Sequence, residues 1–161
     1  MIFVTLGSQK FQFNRLLEEI DRLVKEKKIK SDIFIQIGYS TYVPRNCKFK
    51  KFLNKSEYTE LIANSEIVIT HGGTGSIINS LKKGKKVIGI PRDFKYGEHV
   101  DNHQYEIIKQ FMEMNLIYGL LDIKNLERAI NEILDIDFRK YTSNTANIIN
   151  IIEDYIESIK V

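Results

Sequence analysis

The sequence predicts an α/β domain, a parallel sheet of about six strands with helices on both faces. Three observations predict it. Short β-branched and aromatic runs, such as Ile2-Phe3-Val4-Thr5 and Ile67-Val68-Ile69-Thr70, alternate with stretches of helical apolar spacing along the chain. The runs are continuously apolar, as strands buried on both faces must be. Several of them stop at glycine or proline, the punctuation of strand–loop–helix units. Repeated in this way, such units build a Rossmann-like sheet.

In order, "IFVTLG" from Ile2 is the first strand. "FNRLLEEIDRLVKEK" comes next, with Phe13, Leu16, Leu17, Ile20, Leu23 and Val24 on one helical face. "DIFIQIG" is the second strand and "CKFKKFL" the third. "SEYTELIANS" is a short helix; Ser56 is its expected cap, with Thr59 where a capping box would place an acid. "EIVIT" is the fourth strand, and "GSIINSLKKG" is its helix, closed by Gly84. "KVIGIP" is the fifth strand, ended by Pro91. "DNHQYEIIKQFMEMN" is a helix with Asp101 near its start, and "LIYGLL" is a last strand. Two helices close the chain, "IKNLERAINEIL" and a C-terminal one at about residues 143–160. The last carries Ile148, Ile149, Ile151, Ile152, Tyr155, Ile156 and Ile159 over more than one narrow stripe. Such a helix packs across the sheet domain or offers part of its surface to a partner.

The totals set bounds. With 161 residues, 43% of them apolar and 28% charged, the chain reads as one globular domain, residues 1–161. The net charge of +3, from 24 basic and 21 acidic residues, is too balanced for a nucleic-acid binder. A lone cysteine, Cys47, excludes an internal disulfide and fits a reducing compartment. The N-terminal "MIFVTLG" has no basic leader, and no window nears the ~20 apolar residues of a membrane span. The expectation is a cytoplasmic protein; work at a membrane would need something else to hold it there.

In open parallel sheets, ligands bind at the carboxyl ends of the strands. The residues just past each strand are therefore informative: Gly7, Ser8 and Gln9; Gly38, Tyr39 and Ser40; His71 to Ser76; then Pro91, Arg92 and "KYGEHVDNHQ". The turn His71-Gly72-Gly73-Thr74-Gly75-Ser76 joins a strand to a helix start. Glycines there allow positive φ and close backbone approach, and the free N–H groups beyond them suit a diphosphate. It is not a Walker A loop, since no Gly-Lys-Ser/Thr comes after it. Nor is it the dinucleotide fingerprint, since GGTG lacks that motif's third glycine and sits on the fourth strand rather than the first. A tight structural turn is the plainer alternative. His99 and His103 have i,i+4 spacing and, with Asp101 or His71, could ligate zinc. Hydrogen bonding to ligand hydroxyls suits His, Asn and Gln better, and no metal is expected. The "KKGKK" run at Lys82–Lys86 reads as a solvated helix end. Arg92 either adds charge at the phosphate edge or is a surface arginine.

Taken together, "VTLGSQ", "IQIG", "FL", "THGGTGS" and "P…EHVDNHQ" resemble the C-terminal, donor-binding half of family 28 glycosyltransferases of the GT-B fold. Within the family the chain is most similar to small freestanding subunits of two-chain enzymes. These include bacterial capsule and exopolysaccharide proteins and the eukaryotic catalytic subunit acting on dolichol-diphosphate N-acetylglucosamine. The resemblance implies that Gly7, Ser8 and Gln9 lie beside the nucleotide diphosphate. It implies that Phe52 and Leu53 read the uracil through the backbone. It places His71, Gly72, Gly73, Thr74, Gly75 and Ser76 at the diphosphate, and His103 and Gln104 at the donor sugar's hydroxyls. Relatives often carry a Glu for the ribose where this chain has Asn79.

The function so implied is that of a donor-binding catalytic subunit. A heteromeric inverting transferase would move a sugar from a UDP-sugar to a lipid-diphosphate-linked saccharide, in capsule, exopolysaccharide or related glycan synthesis. The acceptor site would come from a membrane-anchored partner, which would hold this chain at the cytoplasmic membrane face. No cofactor is implied, and the catalytic residues are unassigned; His71 and His99 are the base candidates within the chain, with hydrogen-bonding roles expected of them, and Arg92 is the candidate for added positive charge. The isolated chain could pair with itself. Two other readings stand: a non-catalytic enhancer of a partner transferase, and an unrelated nucleotide-binding enzyme on a similar sheet.

Overall fold

A computed structural model describes residues 1–159. The final residue of the helix expected at 143–160, and the last two of the domain, lie outside the described residues. Six parallel strands form one sheet: β1 (Ile2–Thr5), β2 (Ile33–Gln36), β3 (Lys48–Lys50), β4 (Ile67–His71), β5 (Lys86–Ile90) and β6 (Tyr118–Gly119). Their order is β3-β2-β1-β4-β5-β6, so the winding reverses between β1 and β4. Register places Thr5 beside Gln36 on one side and Thr70 on the other.

Alternation along the central strands divides the core. Ile2, Val4, Ile67, Ile69, Ile88 and Ile90 point to one face, under α1 (Asn14–Lys25) and α5 (Leu126–Glu132). Phe3, Val68 and Val87 point to the other. There they meet Ile62 of α2 (Lys55–Asn64), Ile77 of α3 (Thr74–Lys82) and Ile108 of α4 (His103–Glu113). All the helices expected from spacing are present; α2 and α3 start one residue earlier than expected, and the others are trimmed at their ends. α5 is flanked by 3₁₀ turns at Ile123–Asn125 and Ile133–Asp135.

Four expectations need correction. Asn54, not Ser56, caps α2: its Oδ1 accepts the Glu57 N–H (2.9 Å), and the Glu57 carboxylate accepts the Asn54 N–H (3.0 Å). The box is shifted two residues back because the helix starts at Lys55. Next, β4 runs one residue past Thr70: His71 pairs with Ile90, so its side chain belongs to the sheet. The basic run at Lys82–Lys86 is not all solvated. Lys85 Nζ donates to the Ala63 carbonyl (2.6 Å), and Lys86 Nζ to those of Leu134 and Ile136 (2.8 and 2.6 Å).

The last correction concerns α6 (Thr145–Ser158), which buries no residue, so it does not pack across the sheet. Its apolar side chains, with Ile159 beyond it, stand 45–66% exposed. The sheet faces above β1, β4 and β5 are already filled by α1 and α5 on one side and by α2, α3 and α4 on the other. No helix among the described residues is long and apolar enough to cross a membrane.

Candidate functional site

At the carboxyl edge, where the winding reverses, a cleft of about 350 Å³ opens between the β1 and β4 loops. Its lining includes Thr5, Gly7 and Ser8 on the β1 side, and Gly75, Ser76 and Asn79 on α3. Gln36, Leu53, Asn54, Lys55 and Tyr58 complete it from β2 and the start of α2. A second hollow, about 440 Å³, opens near Met1, Asp32 and Cys47 at the opposite edge. It faces no glycine turn or helix start, and its one thiol is inert, since burial pushes the Cys47 pKa up to about 11.

The start of α3 is built to leave donors free. Gly73 is the N-cap residue, and no side chain caps the helix. Ser76 and Ile77 N–H both donate to the Gly73 carbonyl (3.1 and 3.2 Å). The exposed Thr74 and Gly75 amides are thus the open end of the helix, with no acidic side chain in the first turn. An anion is favoured there by both the amides and the helix dipole.

Behind that turn stands His71, 6% exposed. Its imidazole fills the space between two glycine loops. A methyl added at Gly7 would lie 2.6 Å from Cε1, and one added at Gly73 would strike Nε2. Gly7 also has φ +73°, a conformation that bulkier residues resist. Burial, then the nearby Arg92 charge, holds the His71 pKa down to about 4, so the ring is neutral at pH 7.

Arg92 is 1% exposed, which overturns the surface-arginine reading. Its Nη2 donates to the Leu6 and Phe11 carbonyls (2.7 and 3.3 Å), beneath the β1 loop rather than into the cleft. Gln104 is also buried, and its Oε1 accepts the N–H groups of Gly72 and Arg92, both at 3.1 Å. The α4 start is thereby pinned to the glycine turn. Asp101 Oδ1 accepts the His103 N–H (3.1 Å) and meets Nδ1 of both His99 (3.2 Å) and His103. The three side chains bring ligand atoms within 4.8 Å of one another, without His71. The Asp101 hydrogen bonds account for that grouping.

The family model of the glycosyltransferase family 28 C-terminal domain matches residues 1–159. The chain belongs to this family. Among curated relatives is the UDP-N-acetylglucosamine transferase subunit ALG13 of Candida albicans, 41% identical over 81 residues, which are 50% of this chain and 26% of that protein. The Homo sapiens protein of the same name is 30% identical over 127 residues, 73% of this chain and 11% of that protein. The chain therefore matches only a minor part of these relatives' length. The NMR structure of ALG13 superposes with a TM-score of 0.60 at 21% identity, over 88% of this chain and 89% of that one. The calicheamicin glycosyltransferase CalG4 does so at 0.60 and 14%, over 84% of this chain and 34% of that one. At such identities these two structures speak for the fold alone.

In this family 28 domain, the sequence-derived residues fall into three groups. Gly7, Ser8, Leu53, Gly75, Ser76 and Asn79 line the cleft together. Thr74 is exposed at the open end of α3, and His71, Gly72 and Gly73 form the turn's inner wall. Gln9 is exposed in the β1 loop, Phe52 packs against Tyr39 (centroids 5.1 Å apart) outside the lining, and His103 is exposed at the α4 start. Sequence reasoning missed Thr5, Gln36, Asn54, Lys55 and Tyr58. Thr5 and Gln36 sit in register at strand ends, where Thr5 Oγ1 donates to Gln36 Oε1 (3.3 Å) and Gln36 Nε2 to the Gly7 carbonyl (3.3 Å). A polar residue closing an apolar run was the available signal. The Asn54…Glu57 box would have put the next two at the start of α2.

Proposed function

We propose that the chain is the donor-binding subunit of a two-part inverting glycosyltransferase that uses a UDP-sugar. The observation that carries this reading is the open α3 start, which faces the cleft behind a turn of three glycines. In the reaction, an acceptor hydroxyl attacks the anomeric carbon. The bond from that carbon to the diphosphate breaks with inversion, and UDP leaves. Charge grows on the departing diphosphate, where the Thr74 and Gly75 amides and the helix dipole stabilise it without a metal. Asn79 and Leu53 border the nucleoside end, while His103, exposed at the start of α4, meets the sugar hydroxyls and the buried Gln104 holds that helix start against the turn. His71, neutral and walled in, shapes the turn, so the proton passes to a base on the partner.

The relatives' name favours N-acetylglucosamine as the sugar. The motifs resembling capsule and exopolysaccharide subunits favour a lipid-diphosphate-linked saccharide as acceptor, presented by a membrane-anchored partner on the cytoplasmic side. Asn79 supports a second reading, an enhancer that activates a partner with its own donor site, because an amide binds a diol less strongly than a carboxylate does.

Calorimetric titration without metal, using UDP and a panel of UDP-sugars, tests the proposal. Saturable binding is expected, lost in Gly73→Val and made less sugar-selective in His103→Ala. Failure to bind UDP both alone and with the partner would refute donor binding and leave the enhancer reading.

A further inference from the structure

Arg92 is anomalous in this fold. It is among the largest fully buried side chains, yet Nε and Nη1 have no hydrogen-bond partner among the described residues. Burying a guanidinium with donors unmet is costly, and an apolar side chain of similar length would avoid that cost. Stability alone does not explain an arginine at this position.

Its bonds run through the site. The carbonyls it holds, Leu6 and Phe11, are the two ends of the β1 loop, so one nitrogen brackets Gly7 to Lys10. Its own N–H donates to Gln104 Oε1, which also takes the Gly72 N–H. Two walls of the cleft and the start of α4 therefore meet at one residue. Other ties between the β1 and β5 loops lie further out and are well satisfied. Arg15 pairs with Glu98 (2.7 Å) and donates to the Pro91 carbonyl (2.8 Å), and Gln12 Nε2 donates to the Tyr96 carbonyl (2.8 Å). Arg92 reaches the inner side of the loop, holding its two ends, while Gln36 Nε2 meets the Gly7 carbonyl between them. It retains its charge there, since burial lowers its pKa only to about 10.

We propose that Arg92 is a positioning residue of the donor site: from beneath, it holds the Gly7–Phe11 loop in register with the glycine turn, so that both close on the diphosphate as one body. This rests on the donor-binding reading above. A positioning role and a packing role differ in sign. If Arg92 positions the loop, replacing it should spare stability and weaken binding; if it merely packs, both should fall together.

The test compares Arg92→Met and Arg92→Lys in the full chain by thermal melting, amide hydrogen exchange and titration with UDP. Arg92→Met should melt at or above the wild-type temperature. Its amides over residues 7–11 should exchange at least tenfold faster, and its Kd for UDP should rise about tenfold or more. In Arg92→Lys, Nζ can donate to both carbonyls, so slow exchange and affinity should largely return. Unchanged exchange over residues 7–11 in Arg92→Met would overturn the proposal. So would an affinity loss matched by lost stability, or a Met variant that does not fold. If wild-type protein fails to bind UDP, the donor reading falls, and exchange alone still decides whether Arg92 holds the loop.

Discussion

Gly73→Ala is the most informative single perturbation of the turn. The added methyl would stand 2.9 Å from Cε1 and 3.0 Å from Cδ2 of His71, and closer still to Nε2. The ring has little room to retreat, because it is buried and the same Cε1–Nε2 edge also faces Gly7. Overpacking of this kind costs about 1–3 kcal/mol. Removing the ring by His71→Ala should cost about 2 kcal/mol, typical of a truncation inside a packed site. In the double variant the methyl enters the space the ring has left. The combined loss should then fall short of the sum by ~1–2 kcal/mol, within the range for residues in contact. Gly75→Ala is the control: a methyl there meets nothing within 4 Å, and stability should hold or rise slightly. Urea denaturation of the four variants and wild type measures all the terms. Each kcal/mol corresponds to about 2–4 °C in Tm for a chain of this size, so melting gives a second readout. Strict additivity of Gly73→Ala and His71→Ala would refute the view that the imidazole and the glycine share one space.

Two further outcomes are expected. The His71 pKa lies at about 4 in the folded chain against its ordinary 6.5, so the unfolded chain takes up a proton between those values that the folded chain refuses. Its contribution is full above pH 6.5 and is lost as pH falls towards 4, on the order of 3 kcal/mol in all; urea midpoints at pH 7 and 4.5 should converge in His71→Asn relative to wild type. At the start of α2, Asn54→Ala should cost about 1 kcal/mol, whereas Ser56→Ala should stay within about 0.5 kcal/mol, both by denaturant titration.

The sheet was legible because strands buried on both faces have apolar interiors, and Ile67-Val68-Ile69 has no other use. The glycine turn was legible because three glycines directly after such a strand mark a place of close backbone approach. What escaped were relations between distant positions. That Thr5 lies beside Gln36 depends on register, which no local pattern prints. That Arg92 turns inward depends on the carbonyls of Leu6 and Phe11, 86 and 81 residues earlier in the chain. The cap of α2 was misplaced for a local reason: Ser56 and Asn54 are both good caps, and only Glu57, three residues after Asn54, favours the latter. The exposure of α6 was not legible, since an isoleucine-rich helix reads the same whether its partner is its own sheet or another surface.

If α3 receives a diphosphate as proposed, its missing side-chain cap makes the ligand a part of the fold. A helix whose first amides wait for an acceptor is weakest at that turn, and fraying there opens the wall against which Gln104 and His71 are set. An arriving diphosphate would supply the acceptor from solution and close the turn. Occupancy and local order at the site then rise together, so the melting temperature should climb with the logarithm of free nucleotide once its concentration exceeds Kd. Between turnovers, the same helix end would loosen again and let the spent nucleotide go.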